Sequence, residues 1–414
     1  MSQDPICIVG GGIIGLACAY YLLQAGYQNI KLIEQNQVGQ GCSHGNCGLL
    51  SLSHLLPLPH PGMISSTLKS LLTKGRLAPV YIPPRFNWRL WHWCWQFAQN
   101  CTAQKAYQAV PIRYQLINSS LKLYQQLSDN PDIDYQIHRK GALYVFESAA
   151  GMAAFINSHE TELYDQYQLN WKKWDGPTLH QLEPNLKANL YSAIQVIDDA
   201  HIQPDLFIKA WRRYLAPQIE IHEHCQAIKW IDRYHLMTSQ GKIGAKHFVL
   251  TTGVYSPTFQ KQLGCKLSIQ AGKGYSLSFC QKTKPPLSTP LILPERRLAI
   301  TPMDNLLRIG STVEFSGINH HINPKRLALL QNGLDQYFEQ PITDDRPVEV
   351  WCGLRPMTPN DLPYIGHSPA FDNVLIATGH NMNGIAMAPA TGQLIAEMIQ
   401  GIPTHIDTSL LAPS

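Results

Sequence analysis

The chain opens on a short apolar run, Ile6-Cys-Ile-Val9, which breaks at a glycine cluster and resumes with helical spacing from Ile13 to Leu23. This pattern predicts a strand, a tight turn and a helix stopped near Gly26. A second apolar run, Ile30 to Ile33, predicts the next strand and ends at Glu34. Residues 39–48 are a Gly/Ser/Asn loop, and the proline-rich stretch 55–85 shows no clear period. Residues 86–128 are patterned as helix, and residues 133–147 and 190–198 alternate like strands. Asp198 to Tyr214 begins as a loop and runs into an amphipathic helix, followed by strands at Glu220 to Ile231 and Lys246 to Thr251. Residues 266–315 read as several antiparallel strands, and Pro324 to Phe338 as a helix. Val374 to Ala377 reads as a buried strand and Met387 to Ile399 as the last helix.

These elements predict an α/β fold in which a Rossmann-like dinucleotide domain is interleaved with an α+β substrate domain containing an antiparallel sheet. The expected ranges are 1–60, 190–265 and 345–414 for the first and 61–189 and 266–344 for the second. Composition changes this picture little. At 44% hydrophobic and 15% charged, the chain is globular rather than disordered. A net charge of +4 over 414 residues gives no reason to expect a nucleic-acid partner and suits an anionic substrate. The ten cysteines form no CxxC pair and no metal-ligand spacing, so no metal is expected, and they read as reduced core residues of a cytoplasmic protein. The run from Ile6 to Leu23 is not a signal peptide or a span, because Asp4 precedes it and four glycines interrupt it.

The glycines carry the first chemistry. Gly10-Gly11-Gly12-Ile13-Ile14-Gly15 is GxGxxG between a strand and a helix. Gly10 permits the tight turn, Gly12 lets backbone amides approach a pyrophosphate, and Gly15 lets the helix lie close on the strand. The helix N-terminus presents free N–H groups to the phosphates. Glu34, at the end of the next strand, is placed to accept from a ribose with a free 2′-hydroxyl, which favours FAD or NAD over NADP. A second segment of this kind closes the chain: Gly379-His-Asn-Met-Asn-Gly384 follows a strand and leads into the last helix, which has Pro389 near its first turn. Two nucleotide segments at the two ends of one chain suit a long FAD, with the last helix N-terminus near the flavin ring.

Gly353-Leu-Arg-Pro-Met-Thr-Pro-Asn-Asp-Leu-Pro-Tyr-Ile-Gly366, with Thr378-Gly-His-Asn-Met-Asn-Gly384, resembles the C-terminal signature of the D-amino acid oxidase/dehydrogenase superfamily. Ser43-His-Gly-Asn-Cys-Gly48 resembles its flavin loop, and Leu250-Thr-Thr-Gly-Val-Tyr-Ser256 its second FAD-contacting turn. Ser51-Leu-Ser-His54, Asp198-Asp-Ala-His201, Gly272-Lys-Gly-Tyr275 and Ala386-Met-Ala-Pro-Ala-Thr-Gly392 are similar to bacterial D-amino acid dehydrogenases of the D-hydroxyproline/D-proline dehydrogenase type. The resemblance spans residues 5–400. One departure is Cys47, where many relatives have alanine; the small added volume should leave FAD binding intact. Cys352 does not align with a flavin-tethering cysteine, so noncovalent FAD is expected.

The resemblance implies FAD contacts at Gly10, Gly12, Ile13, Gly15, Glu34, Gln35, Ser43, Asn46, Gly48, Leu49, Ile228, Thr252, Gly253, Gly353, Gly379, Asn383, Gly384 and Ile385. It also implies hydride transfer from the α carbon of a small D-amino acid or cyclic imino acid to flavin N5. Arg355 is the expected carboxylate anchor, because its planar fork matches two oxygens. Arg308 and Lys273 are the alternatives. Tyr275 is expected to cap the pocket or share the carboxylate, and His54 and His380 to border the flavin face. The expected partners are the amino-acid substrate and a quinone or other electron acceptor. The alternatives are an oxygen-using oxidase of the glycine or sarcosine type, and an FAD-binding subunit without turnover. Trp88, Trp91 and Trp95, beside Arg85 and Arg89, share a helix face. Packing within the substrate domain is the expectation for them, with a peripheral contact to the inner membrane as the alternative.

Overall fold

The computed structural model describes residues 4–75, 78–84, 86–280, 287–343 and 346–414. Arg85 and the expected domain boundary at 344/345 lie outside the described residues. Strand β1 (Ile6–Val9), helix α1 (Ile13–Gln24) and strand β2 (Ile30–Ile33) form where the apolar pattern places them. They belong to a six-stranded sheet ordered Glu220–His222, β2, β1, His247–Leu250, Val374–Thr378, Tyr364–His367, in which all pairings but the last are parallel. Buried on both faces, the central strands Ile6–Val9, His247–Leu250 and Val374–Thr378 read as nearly continuous apolar runs.

The C-terminal helix Gly384–Gln400 lies across α1. Gly392 sets the closeness of that crossing, since a Cβ there would sit 2.5 Å from the Ala17 carbonyl oxygen. This helix begins three residues before the expected Met387, which puts Pro389 inside it rather than in its first turn. Proline has no N–H for the carbonyl four residues back. The buried Tyr124 hydroxyl supplies that hydrogen bond instead, donating to Ile385 O at 2.8 Å.

A nine-stranded sheet forms the second layer. Its order is Glu349–Met357, Gln270–Cys280, Leu306–Glu314, Leu298–Pro302, Leu291–Leu293, Ala142–Phe146, Ser192–Val196, Trp171–Asp175, with Val80–Tyr81 beside Leu306–Glu314. Strands Ser192–Val196 and Glu349–Met357 were expected in the dinucleotide ranges, but they pair into this sheet. Their partners are distant in sequence, so the local pattern could not reveal the exchange.

The helical stretch 86–128 is two helices, α3 (Trp88–Asn100) and α4 (Ala103–Ser128), broken where Thr102 caps α4. Helix α2 (Met63–Lys74) occupies part of the stretch without a period. The expectation that the tryptophans pack inward is corrected: Leu90 and Trp93 are buried, whereas Trp88, Trp91 and Trp95 are exposed. All ten cysteines are free, five of them buried.

Candidate active site

The parallel strands of the six-stranded sheet end level with one another, Val9 opposite Ile33 and Leu250, and Leu250 opposite Ile376. Their carboxyl ends therefore present Glu34, Gly10–Gly12, Thr251–Gly253 and Gly379 in one row, the crevice where open α/β sheets bind nucleotides. Gly10 has φ +114, and its Cβ position lies 2.7 Å from the Thr251 carbonyl oxygen. At Gly15 the Cβ position is 1.9 Å from the Gly10 carbonyl, so the helix can approach the strand only with glycine there. Gly12 differs: it caps α1 just before Ile13, and no atom lies within 4 Å of its Cβ position. That open space above the free amides of a helix N-terminus is where a pyrophosphate fits. Glu34 accepts from the amides of Gly11 at 2.8 Å and Asn36 at 2.9 Å, which fixes a carboxylate beside this cradle with lone pairs left for ribose hydroxyls. The partly exposed Gln35 follows it.

Residues 41–48 are held against the nine-stranded sheet. Arg308, fully buried, donates from Nη1 to the carbonyls of His44 (3.0 Å) and Asn46 (3.1 Å) and from Nε to Ser278 Oγ. Its Nη2 meets Asp205 and Glu349. The His44 hydrogen bond at 2.7 Å holds the Glu349 carboxyl below its usual range. Ser43 is buried, and Asn46 Oδ1 accepts from Gly48 N–H. Gly48 has φ +71 and leads into Leu49–Leu50, which pairs with the Ala200–Ile202 strand.

Strand alternation sorts the remaining candidates. In the pairing of Gln270–Cys280 with Glu349–Met357, Gly272 faces Arg355, Gly274 faces Gly353 and Ser276 faces Trp351. These residues share one side of the sheet, and Lys273, Tyr275, Leu354 and Cys352 share the other. The first side is paved with glycine, and residues 41–48 lie over it. A Cβ at Gly274 would fall 2.3 Å from Cζ and Nη1 of Arg355, so the guanidinium rests on that glycine. The indole of Trp351 is wedged between Gly353 and Gly45 in the same way. Arg355 Nη1 donates to Thr312 O at 2.9 Å, and no carboxylate pairs with it among the described residues. Thr312 holds that carbonyl in place with φ +64, an unusual conformation for a β-branched residue. Burial lowers the Arg355 pKa, yet a guanidinium stays charged, leaving an unpaired cation with N–H donors free for a carboxylate. Cys47 Sγ lies over Gly310 on this side, and burial pushes its thiol up.

Tyr275, Cys352 and Lys273 lie on the other side of this sheet. Tyr275 is turned to the opposite face, where its hydroxyl donates to Glu314 at 3.0 Å. It does not meet Arg355, and alternation along the strand is the reason. Cys352 shares that face, with Sγ donating to the His320 carbonyl. Lys273 is buried against Asn319, the His321 carbonyl and Glu314. With Arg308 also committed, neither alternative anchor is available. The His54 ring packs edge-on to Tyr144, and burial, helped by Arg113, lowers its pKa to about 4. His380 is buried, bonds Thr391 Oγ1 at 3.0 Å and is lowered by burial to about 3. Gly379 has φ +78, and Asn383 caps the C-terminal helix just before Gly384 and Ile385. Gly353 lies on the anchor face, and Thr252 bonds Ser256 ahead of Gly253. Ile228 stands apart, half-exposed on a separate three-stranded sheet. Trp351, Thr312 and Gly274 were missed as site residues in the sequence, and Arg308 was expected as an anchor rather than as the support of residues 44–46, because only strand register shows where they lie relative to Arg355 and the 41–48 loop.

Two outcomes follow from this geometry. Gly274→Ala should displace the guanidinium while leaving the nucleotide cradle untouched. Flavin content should stay normal and turnover should fall by about 100-fold; unchanged turnover would mean that Arg355 is not held there for catalysis. His380 has its folded pKa depressed below the unfolded 6.5, so the unfolded chain takes up protons first as pH falls. Its stability cost therefore grows below pH 6.5. The stability of His380→Gln relative to the parent should rise by on the order of 1 kcal/mol per pH unit from 6.5 to 5. Urea unfolding at the two pH values measures this, and a pH-independent difference contradicts it.

The sequence pattern of the DAO family, described as FAD dependent oxidoreductase, matches residues 5–398. The chain is 28% identical over 414 residues to a D-amino acid dehydrogenase of Helicobacter pylori strain 26695, covering 96% of this chain and 95% of that one. The fold is similar to glycine oxidase from Geobacillus kaustophilus, with TM-score 0.78 and 20% identity over 100% of this chain and 99% of that one. It is similar also to L-proline dehydrogenase from P. horikoshii, with TM-score 0.71 and 16% identity over 99% and 97%. With a glycine turn at the strand ends and a buried arginine that meets no carboxylate among the described residues, the chain belongs to the DAO family of FAD-dependent oxidoreductases.

Proposed function

We propose that this chain is an FAD-dependent dehydrogenase of small D-amino acids or of cyclic imino acids such as D-proline and D-hydroxyproline. One observation carries the reading: Arg355 lies uncompensated on a glycine-paved sheet face, opposite the loop that resembles a flavin loop. The relatives named D-amino acid dehydrogenase add support. The dinucleotide unit is the six-stranded sheet with α1 and the C-terminal helix, and the substrate unit is the nine-stranded sheet.

The residues that would hold FAD are Gly10, Gly12, Ile13, Gly15, Glu34 and Gln35 at the first cradle, with Ser43, Asn46, Gly48, Leu49, Thr252, Gly253, Gly353, Gly379, Asn383, Gly384 and Ile385 beyond it. Ile228 would add a backbone contact, since nearby Cys225 donates its N–H to the Glu34 carbonyl. Bound noncovalently, FAD supplies the hydride acceptor. Arg355 grips the substrate carboxylate in two places and so fixes the α C–H. His54 and His380 remain neutral groups bordering the site rather than bases, and Tyr275 supports the sheet from behind. The substrate loses a hydride and a proton and becomes an imine. A linear imine hydrolyses in water to a keto acid and ammonia, whereas a cyclic one remains a pyrroline carboxylate. Electrons leave to a quinone or other acceptor, and the protein works in the cytoplasm with a peripheral contact to the inner membrane.

Anaerobic mixing with a panel of D- and L-amino acids tests the reading. D-amino acids, D-proline among them, should bleach the flavin, while their enantiomers should not. In air, a quinone analogue should then restore the yellow colour faster than oxygen does. Hydrogen peroxide equal to substrate lost would make the protein an oxidase, and no bleaching by any D-amino acid would remove the proposal.

A further inference from the structure

Helices α2 and α3 turn large apolar side chains to solvent. On α2, Ile64, Leu68 and Leu72 recur every fourth residue, and Leu72 is 87% exposed. On α3, Trp88, Trp91 and Trp95 share one stripe at 71%, 50% and 56% exposure, with Phe86 just ahead at 93%. The His92 ring stacks between Trp88 and Trp95 and joins them into one aromatic ledge. The inner side of α3 packs on Val80 and Ile82, and α2 also touches the Val80–Tyr81 strand, so both stripes flank the same strand. Isolated exposed apolar residues are ordinary, but a grouped set this large marks an interaction surface.

The charge of the surrounding chain narrows the partner. Residues 35–128 contain no Asp or Glu and eight Lys or Arg, although the whole chain has a net charge of only +4. Arg113 is neutralised inside the fold by Asp361. Lys69 on α2, Arg89 on α3 and Lys105 at the start of α4 are exposed. Exposed indoles and leucines, on a chain segment that carries cations and no acidic residue, match a surface with an apolar interior and anionic headgroups. Tryptophan rings settle at the headgroup level, and lysine and arginine meet lipid phosphates. No described helix is long and apolar enough to cross a membrane, so contact would be from one side.

We infer that α2 and α3 form a docking face for an anionic phospholipid bilayer, with Leu68, Leu72, Trp88, Trp91 and Trp95 entering its interface. This deepens the functional reading above and rests on it for the identity of the electron acceptor, which a bilayer-dissolved quinone would satisfy.

Flavin-loaded protein is floated with vesicles of phosphatidylcholine, alone or with phosphatidylglycerol. Partitioning should favour the anionic vesicles by at least about tenfold and weaken as salt rises. A variant combining Leu68→Ser, Leu72→Ser, Trp88→Ser, Trp91→Ser and Trp95→Ser should lose at least about tenfold in partitioning. Its flavin absorbance, thermal unfolding and dye-linked turnover should match the parent. Lys69→Glu with Arg89→Glu should abolish the preference for anionic vesicles. Equal partitioning to both vesicle types, no flotation of the parent, or flotation of the five-site variant like the parent overturns the inference. So does light scattering that shows a dimer through this face which excludes vesicles. Dye reduction by D-amino acids is read without vesicles, so failure of the dehydrogenase reading and failure of docking are separate results.

Discussion

Arg355→Lys is expected to slow flavin reduction by substrate by roughly 10- to 150-fold. Lysine keeps the charge but gives up the planar two-point grip on a carboxylate. Loss of one charge-assisted hydrogen bond removes about 1.5–3 kcal/mol, which gives that range. A shift of the α C–H by about 1 Å adds a factor of about 100. The ammonium can still reach the Thr312 carbonyl that now fixes Nη1, so the sheet should stay intact. Flavin content should also stay normal, because the cradle at the ends of β1 and β2 does not involve this side chain. Stopped-flow reduction over a range of substrate concentrations separates the rate from the dissociation constant. If both match the parent, Arg355 does not hold the carboxylate. Neither alternative anchor is free to replace it, since Arg308 is tied to Asp205 and Glu349 and Lys273 to Glu314.

Gly12→Val should give a folded, colourless protein. The chain itself has room for the new side chain, as no protein atom lies within 4 Å of that Cβ position. The space it fills is the one from which a pyrophosphate approaches the first amides of α1. Gly15→Ala is the contrasting control. Its methyl would fall 1.9 Å from the Gly10 carbonyl, a clash within the fold itself, so this variant should lose stability whether or not FAD is added. Absorbance at the flavin bands, circular dichroism and added-FAD titration distinguish the two. Normal flavin content in Gly12→Val would place the phosphates elsewhere.

The sequence alone was enough for the elements with the clearest local signals. Apolar spacing and glycines located β1, α1 and β2, because strand, turn and helix are each set by contacts within a few residues. Glu34 followed from its distance to Gly15, and Arg355 from the motif around it. Tertiary structure decided what depends on pairing between distant strands. Gly274, Thr312 and Trp351 surround or adjoin Arg355 because strands well separated along the chain are in register. The same register turns Tyr275 away, since successive residues of a strand point to opposite faces and a shift of one position reverses the side. Pro389 could enter a helix only because Tyr124, from another helix, supplies the missing hydrogen bond. The helical period grouped Trp88, Trp91 and Trp95 on one face. Whether that face met the core or the solvent depended on where α3 packs, which no local spacing encodes.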